Sequence, residues 1–323
     1  LQRVWVICDG ICGKRLAPYL RTIVSTLERV GEMTLDAEVR RKLIRISPAT
    51  IDRLLAPARK RYQLRARSQT KPGTLLKHQI PIRTWSDWNE ARPGFVEIDL
   101  VSHEGGDPRG EFAYTLDATD ICTGWTETVA VRNRAERWVF AGLKEALARF
   151  PFEIRGIDSD NGSEFINNHL VRYCTEQKIT FTRSRPYRKN DNCFVEQKNS
   201  SVVRRTVGYA RHDTPEELEL LNELYSRLRL YANYFQPVMK LVEKTRTGSR
   251  VTKKYDKART PYGRVLTSRD IAKPVKRTLR RGYKELNPVT LGREINRLLG
   301  RLHSVAERKA EAKPCSTLEY IST

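Results

Sequence analysis

No apolar run in this sequence approaches the roughly 18 residues that a membrane-spanning helix needs, which excludes such a span. No secretory signal pattern opens the chain. It begins at Leu1 and not at Met, so the natural protein is expected to have residues before it. Histidine is scarce. His78, His103, His169, His212 and His303 show no paired ligand spacing, so the neighbouring Cys8 and Cys12 do not read as half of a zinc site. The six cysteines (Cys8, Cys12, Cys122, Cys174, Cys193, Cys315) are scattered, which argues against a disulfide framework and for reduced thiols in a cytosolic compartment. Repeats and long low-complexity tracts are absent.

Acidic residues are in deficit. Against 60 Lys and Arg stand 38 Asp and Glu, for a net charge of +22 and a pI near 10.0. A charge of that size points to a polyanionic partner, most often nucleic acid. It is unevenly spread: residues 1–92 carry +11, 93–235 carry −3 and 236–323 carry +14. Two basic arms flanking a near-neutral centre suit a catalytic unit with clustered carboxylates between regions that grip phosphates. The chain divides accordingly into 1–57, a linker over 58–92, a central domain over 93–235 and a basic C-terminal region over 236–323.

Three helices are predicted over 17–30, 35–45 and 47–56. The third opens with Ser47-Pro48, an N-cap followed by proline at the first helical position, and is expected to carry Ile51, Leu54 and Leu55 inward. In the second, Leu35, Val39, Leu43 and Ile46 recur at helical spacing. The short connection between the second and third resembles a helix-turn-helix, with Thr50 and Arg53 facing DNA. A plain three-helix bundle fits the same pattern, and the flanking charge favours the DNA reading. In the linker, Arg59, Lys60 and Arg61 stand among prolines in a stretch suited to tracking a phosphate backbone, and Trp85 and Trp88 begin the next domain.

From Gly94 the pattern turns to strands, over 95–102, 111–118 and 124–131, followed by a helix over 135–150. A strand at 154–158, a helix at 163–177, a strand at 179–184, a polar loop and a helix from before Glu196 to about Tyr209 complete a mixed α/β domain with a partly parallel sheet. A helix over 215–235 follows. Beyond it the pattern is less legible: short strands of a small barrel over 240–255, and a helix over 288–308.

Three segments carry carboxylates where a charge is costly unless a partner or metal compensates it. They are Val96-Glu97-Ile98-Asp99-Leu100, Asp158-Ser159-Asp160-Asn161-Gly162-Ser163-Glu164-Phe165, and Asn190 to Asn199 with Glu196 at its centre. Three converging carboxylates suit Mg²⁺, a hard ion that prefers oxygen, and two such ions activate an in-line phosphoryl displacement. Glu97 shares the strand parity of Asp99, and Asp158 that of Asp160. The Asp-Asn-Gly context favours Asp160, and depth along the strand favours Asp99.

These segments resemble the catalytic core of the DDE transposase and retroviral integrase superfamily. Thirty-five residues separate Asp160 from Glu196, the spacing of its D,D(35)E pattern. Ser159 to Phe165 resembles its S/T-D-N-G-x-x-F element, Thr123-Gly124-Trp125 the turn after its second strand, and Ser184 to Asn192 its mobile loop. The match covers about residues 85–210 and is closest to bacterial insertion-sequence transposases with an N-terminal helix-turn-helix.

The resemblance implies a ribonuclease H-like α/β core and Asp99, Asp160 and Glu196 as catalytic ligands of Mg²⁺ or Mn²⁺, two ions per site. It further implies DNA contacts by Tyr187, Arg188, Lys189 and Asn192 in the loop. Where retroviral relatives carry lysines four and seven residues past the glutamate, this chain has Ser200 and Val203, and Lys198, Arg204 and Arg205 are the candidates to take over phosphate contact. The expected activity is metal-dependent hydrolysis and strand transfer at mobile-element ends, by a homo-oligomer on double-stranded DNA in the cytoplasm. A decayed, repressor-like DNA-binding protein and a nuclease without strand transfer are the alternatives.

Overall fold

The computed structural model describes residues 1–61, 92–160, 162, 164–165, 167–184 and 193–312, and of residues 61, 193, 244, 246, 250, 310 and 312 the backbone alone. Four helices open the chain: α1 (Gln2–Ile7), α2 (Gly13–Arg29), α3 (Ala37–Arg45) and α4 (Pro48–Arg61). The short α1 is not marked in the sequence pattern. It is held by burial of Val4 and Trp5, whose indole donates to the carbonyl of Ile11 at 3.0 Å. Leu16, Leu20, Ile23, Val24 and Leu27 recur at three- and four-residue spacing along α2 and are buried, the signature of one apolar face. Asp36 caps α3 by accepting from the amides of Glu38 and Val39, and Ser47 accepts from the amide of Thr50 at the start of α4.

Two expectations about these helices are corrected. Helix α4 does not stop at Ala56 but continues through Pro57 to Arg61. Arg59 reaches back across the proline to Asp52 at 2.6 Å, and Asp52 also accepts from the amide of Gly13 at 2.7 Å, so the last turn is tied down from both sides. Leu54 faces outward at 59% exposure, as does Val39 at 47%, while Ile51 and Leu55 are buried. Ile51 and Leu55 lie within about 40° of each other around the helix; Leu54 falls on the rim of that arc.

The central domain is a five-stranded sheet in the order β3-β2-β1-β4-β5, formed by β1 (Phe95–Ser102), β2 (Tyr114–Asp120), β3 (Thr126–Val131), β4 (Gly156–Ser159) and β5 (Thr180–Arg183). The first three strands form an antiparallel meander; β4 and β5 add to β1 in parallel. This is the mixed sheet of a ribonuclease H-like core. Helix α5 (Glu136–Ala148) supplies the crossover from β3 to β4. A Cβ on its Gly142 would come within 2.6 Å of Val131, so the glycine lets helix and sheet approach closely. Helix α6 (Asn168–Glu176) begins five residues later than its sequence pattern, because Asn167 is the residue whose side chain caps it, accepting from Leu170 at 2.9 Å.

After α7 (Cys193–Lys198) the backbone loosens into a π-helical turn over Asn199–Arg204 and closes with α8 (Arg205–Val207). Helix α9 (Pro215–Phe235) opens with a complete capping box between Thr214 and Glu217. The C-terminal region holds a hairpin, β6 (Leu241–Thr247) and β7 (Arg250–Tyr255), then α10 (Pro261–Thr267), α11 (Lys273–Glu285) and α12 (Pro288–Ala312). Among the described residues no third strand joins the hairpin, and helices make up the rest of the region. Val242 and Val251 stand exposed among basic residues and offer no apolar interior. One apolar cluster runs from α2 through Tyr234 and Phe235 to Tyr262, Val265 and Leu279, joining the N-terminal helices to α10 and α11. Among the described residues no helix is long and apolar enough to cross a membrane.

Candidate active site

Side chains alternate across a strand, and the pairing register decides which of them meet. Val96 and Ile98 of β1, Leu116 and Ala118 of β2 and Ile157 of β4 share the face covered by α5, all of them buried. The opposite face is acidic and polar. There Asp99 pairs with Asp117, Glu97 with Thr119 on one side and with Asp158 on the other. The parallel register of β1 and β4 ends at Ile98 opposite Ser159, so the next step sets Asp99 beside Asp160 at the carboxyl ends of both strands. That is where sites of α/β sheets are built.

Helix α7 crosses this acidic face. Its start is held by Glu97, whose carboxylate accepts from the amide of Val195 at 2.6 Å, one of the amides a helix leaves unpaired at its first turn. One turn beyond Glu196, the side-chain amide of Asn199 donates to Asp99 at 2.7 Å, where the π-helical turn begins. A π turn re-aims side chains within a helix, and such turns recur at functional sites. Glu97 thus has a positioning contact at the start of α7. Asp158 is likewise fully buried and accepts from the hydroxyl of Thr182.

Burial pushes the Asp99 carboxyl up to about 8, the like charge of Asp160 adds to the rise, and the amides of Leu100 and Asn199 oppose it. Asp160 is raised by burial and held back by the Gly162 amide, which donates to it at 2.9 Å. Asp117 is raised by burial to about 7, and burial of Lys198 in turn lowers its ammonium to about 8. Glu97 is raised by burial and by the neighbouring Asp158 and Glu196 charges, against the Val195 amide. One oxygen each of Glu97 and Asp117 is buried without a hydrogen-bond partner. A pocket of carboxylates that resists ionisation is one that a divalent cation would relieve, and all-oxygen donors suit Mg²⁺ or Mn²⁺. The residues present therefore fit such an ion at Asp99 and Asp160.

The structure brings Asp99 and Asp160 together; Glu196 is exposed on α7, its charge near enough to raise Glu97. Among the described residues no group of three or more His, Cys, Asp or Glu side chains stands in an arrangement that would hold a metal ion. Asn161 lies outside the described residues, as do the loop residues Tyr187, Arg188, Lys189 and Asn192.

Of the residues expected at DNA, Lys198 is buried, and several others are engaged by groups of the protein itself. Lys198 is 5% exposed, beneath α7 near Asp117, because its position on the helix points at β2; it is corrected from a phosphate contact to a buried cation. Arg204 donates to the carbonyl of Ser102 at 2.7 Å and stacks over Tyr209, which ties the π turn to the end of β1 rather than to a phosphate. Arg205 pairs with Asp9 at 2.9 Å. Arg59 is turned to Asp52 and to the Trp5 ring, and the Thr50 hydroxyl bonds that of Ser47 at 2.9 Å. Arg53 and Lys60 remain exposed, and the Arg61 side chain lies outside the description. Asn199 was not marked by sequence reasoning, although its position three residues past Glu196 was a usable signal: i and i+3 share a helix face.

The integrase core domain family matches residues 89–189 of this chain. The uncharacterized protein y4rM of Sinorhizobium fredii is 44% identical over 264 residues, 82% of this chain and 75% of that protein. Among solved structures, the catalytic core domain of BIV integrase aligns at 16% identity with a TM-score of 0.34, covering 52% of this chain and 91% of that one. The HTLV-2 integrase catalytic core domain in complex with magnesium aligns at 12% identity and a TM-score of 0.34, over 45% and 90%. With the integrase-core match falling on the strands that carry Asp99 and Asp160, the chain belongs to the integrase core family of the DDE transposase and retroviral integrase superfamily.

Proposed function

We propose that this protein is a transposase: a divalent-metal-dependent polynucleotidyl transferase that cuts the ends of a mobile DNA element and joins them to target DNA. The observation that carries the reading is the pairing of Asp99 with Asp160 at the ends of adjacent parallel strands, with Asn199 of the Glu196 helix hydrogen-bonded to Asp99. Asp99, Asp160 and Glu196 would hold Mg²⁺ or Mn²⁺, two ions per site, which when bound supply Lewis acidity at a phosphate and a lowered pKa for a hydroxyl or water.

The protein's own groups do the positioning. Asn199 fixes the orientation of Asp99, and the Gly162 amide that of Asp160. Glu97 anchors the first turn of α7, so Glu196 approaches on a helix held at both ends of its active turn.

The chain would act as a homo-oligomer on double-stranded DNA, with α3 and α4 as a helix-turn-helix presenting Arg53 and Lys60. An insertion-sequence enzyme of this kind works in the bacterial cytoplasm. Asp160→Asn and Glu196→Gln should each abolish Mg²⁺-dependent nicking and strand transfer on element-end DNA while binding to that DNA persists. Cleavage by both variants at the wild-type rate ends the proposal. Cleavage without joining of a pre-cut end would make the wild-type protein a nuclease.

A further inference from the structure

The basic residues of the last two helices fall into two classes. On α12 they are paired: Arg293 with Glu32, Arg297 and Arg301 with Glu223, Arg308 with Glu216, and Lys309 with Asp213 and Glu217. On α11 they are not. Lys273, Arg277, Arg280, Arg281 and Lys284 are exposed, and among the described residues no carboxylate lies within 4.0 Å of any of them.

Their spacing is helical. Residues 273, 277, 280, 281 and 284 fall within about 100° around a helix of 3.6 residues per turn, a stripe roughly 16 Å long. The opposite side anchors the helix: Leu279 is buried, and Tyr283 stacks on Tyr262 with ring centroids 4.7 Å apart while its hydroxyl bonds Thr26 at 2.7 Å. Lys276, on the edge of the stripe, is turned back to the carbonyl of Ser268. The result is a rigid element whose outer face carries five like charges side by side. Like charges so placed repel, and among the described residues no carboxylate pairs with them.

We propose that this face of α11 docks on the sugar-phosphate backbone of duplex DNA, without reading bases. Phosphates of one strand recur about every 3.4 Å along the duplex axis, so the stripe spans on the order of five of them. Three arginines offer the planar donors that suit phosphate oxygens. The inference rests on the transposase reading for its choice of DNA over other polyanions. It goes further in separating, within the basic C-terminal region, a helix whose cations would meet DNA from a helix whose cations meet carboxylates of the protein.

The test uses the full chain and a labelled random-sequence duplex, with the dissociation constant measured between 50 and 200 mM salt. Replacing Arg277, Arg280 and Arg281 together by Gln should reduce the slope of log affinity against log salt by about 2.7, at about 0.9 per lost phosphate contact. The same triple replacement of Arg293, Arg297 and Arg301 on α12 should leave the slope unchanged. Should the α11 triple variant not fold, as judged by its melting transition, Lys273→Gln with Lys284→Gln carries the test with an expected reduction of about 1.8. A wild-type slope in a folded α11 variant, or an equal reduction in the α12 variant, overturns the inference while leaving the transposase reading intact. A wild-type protein that binds phosphatidylserine vesicles and not the duplex overturns both.

Discussion

The two faces of the central sheet are built from the same strands and obey opposite rules. Under α5, Val96, Ile98, Leu116, Ala118 and Ile157 exclude water and supply stability. Under α7, Glu97, Asp99, Asp117 and Asp158 stand in neighbouring strands, and burial raises Glu97, Asp99 and Asp117 above the usual carboxylate range. An acidic face of this kind destabilises the fold it belongs to. The contrast teaches that the strands keep a carboxylate face at a cost in burial, next to an apolar face that holds them in register.

The sharpest way to break this comparison is Asp99→Asn. It should reduce strand cleavage by at least about a thousandfold, on the order of 4 kcal/mol at 1.36 kcal/mol per tenfold. It should not destabilise the metal-free protein at neutral pH. The sign follows from the pKa: a carboxyl raised to about 8 in the folded state contributes most at low pH, and its contribution is lost as pH rises from the unfolded value near 4 through 8. Metal-free wild type should therefore melt at progressively lower temperature across that window, and Asp99→Asn should melt with a flatter profile. A steeper profile in the variant would contradict the assignment.

On the other face the effects should be reversed. Ile98→Ala, fully buried, should cost about 2–5 kcal/mol in urea denaturation while the folded fraction keeps its cleavage rate. Between the faces, Asn199→Ala removes the amide bonded to Asp99. It should cost about 1–2 kcal/mol in cleavage and raise the Mg²⁺ concentration needed for half-maximal rate, with a melting temperature close to wild type. The smallest effect tests inside against outside on α4: Leu54→Ala should stay within about 0.5 kcal/mol of wild type, whereas Ile51→Ala should fall in the range of Ile98→Ala.

Much of this was legible in the residues. β1 and α9 follow their patterns from end to end, because one alternates with period two and the other opens with Thr214-Pro215 and a glutamate at the third position. The Asp-Asn-Gly turn marked Asp160, and the spacing to Glu196 marked the third segment. Other features escaped for identifiable reasons. Helix α11 carries Val275, Leu279, Tyr283 and Leu286 at helical spacing, but Gly282 and a run of cations mask the pattern. Helix α1 is too short for periodicity to register. The π turn after Lys198 leaves the apolar pattern of a helix in place while changing its hydrogen bonding.

Alone, the sequence determined which strands alternate, where carboxylates recur and that the flanks are basic, since each is a property of neighbours along the chain. It favoured Asp99 over Glu97 by depth along the strand but could not show what either touches: the Glu97 carboxylate accepts from the Val195 amide, and Asp99 from the Asn199 side chain. Nor could it separate the cations of α11 from those of α12, because whether a guanidinium is neutralised depends on carboxylates such as Glu32 and Glu223 that are remote in the chain. Tertiary structure decided both, for one physical reason: burial and charge pairing are set by what folding brings within a few ångströms.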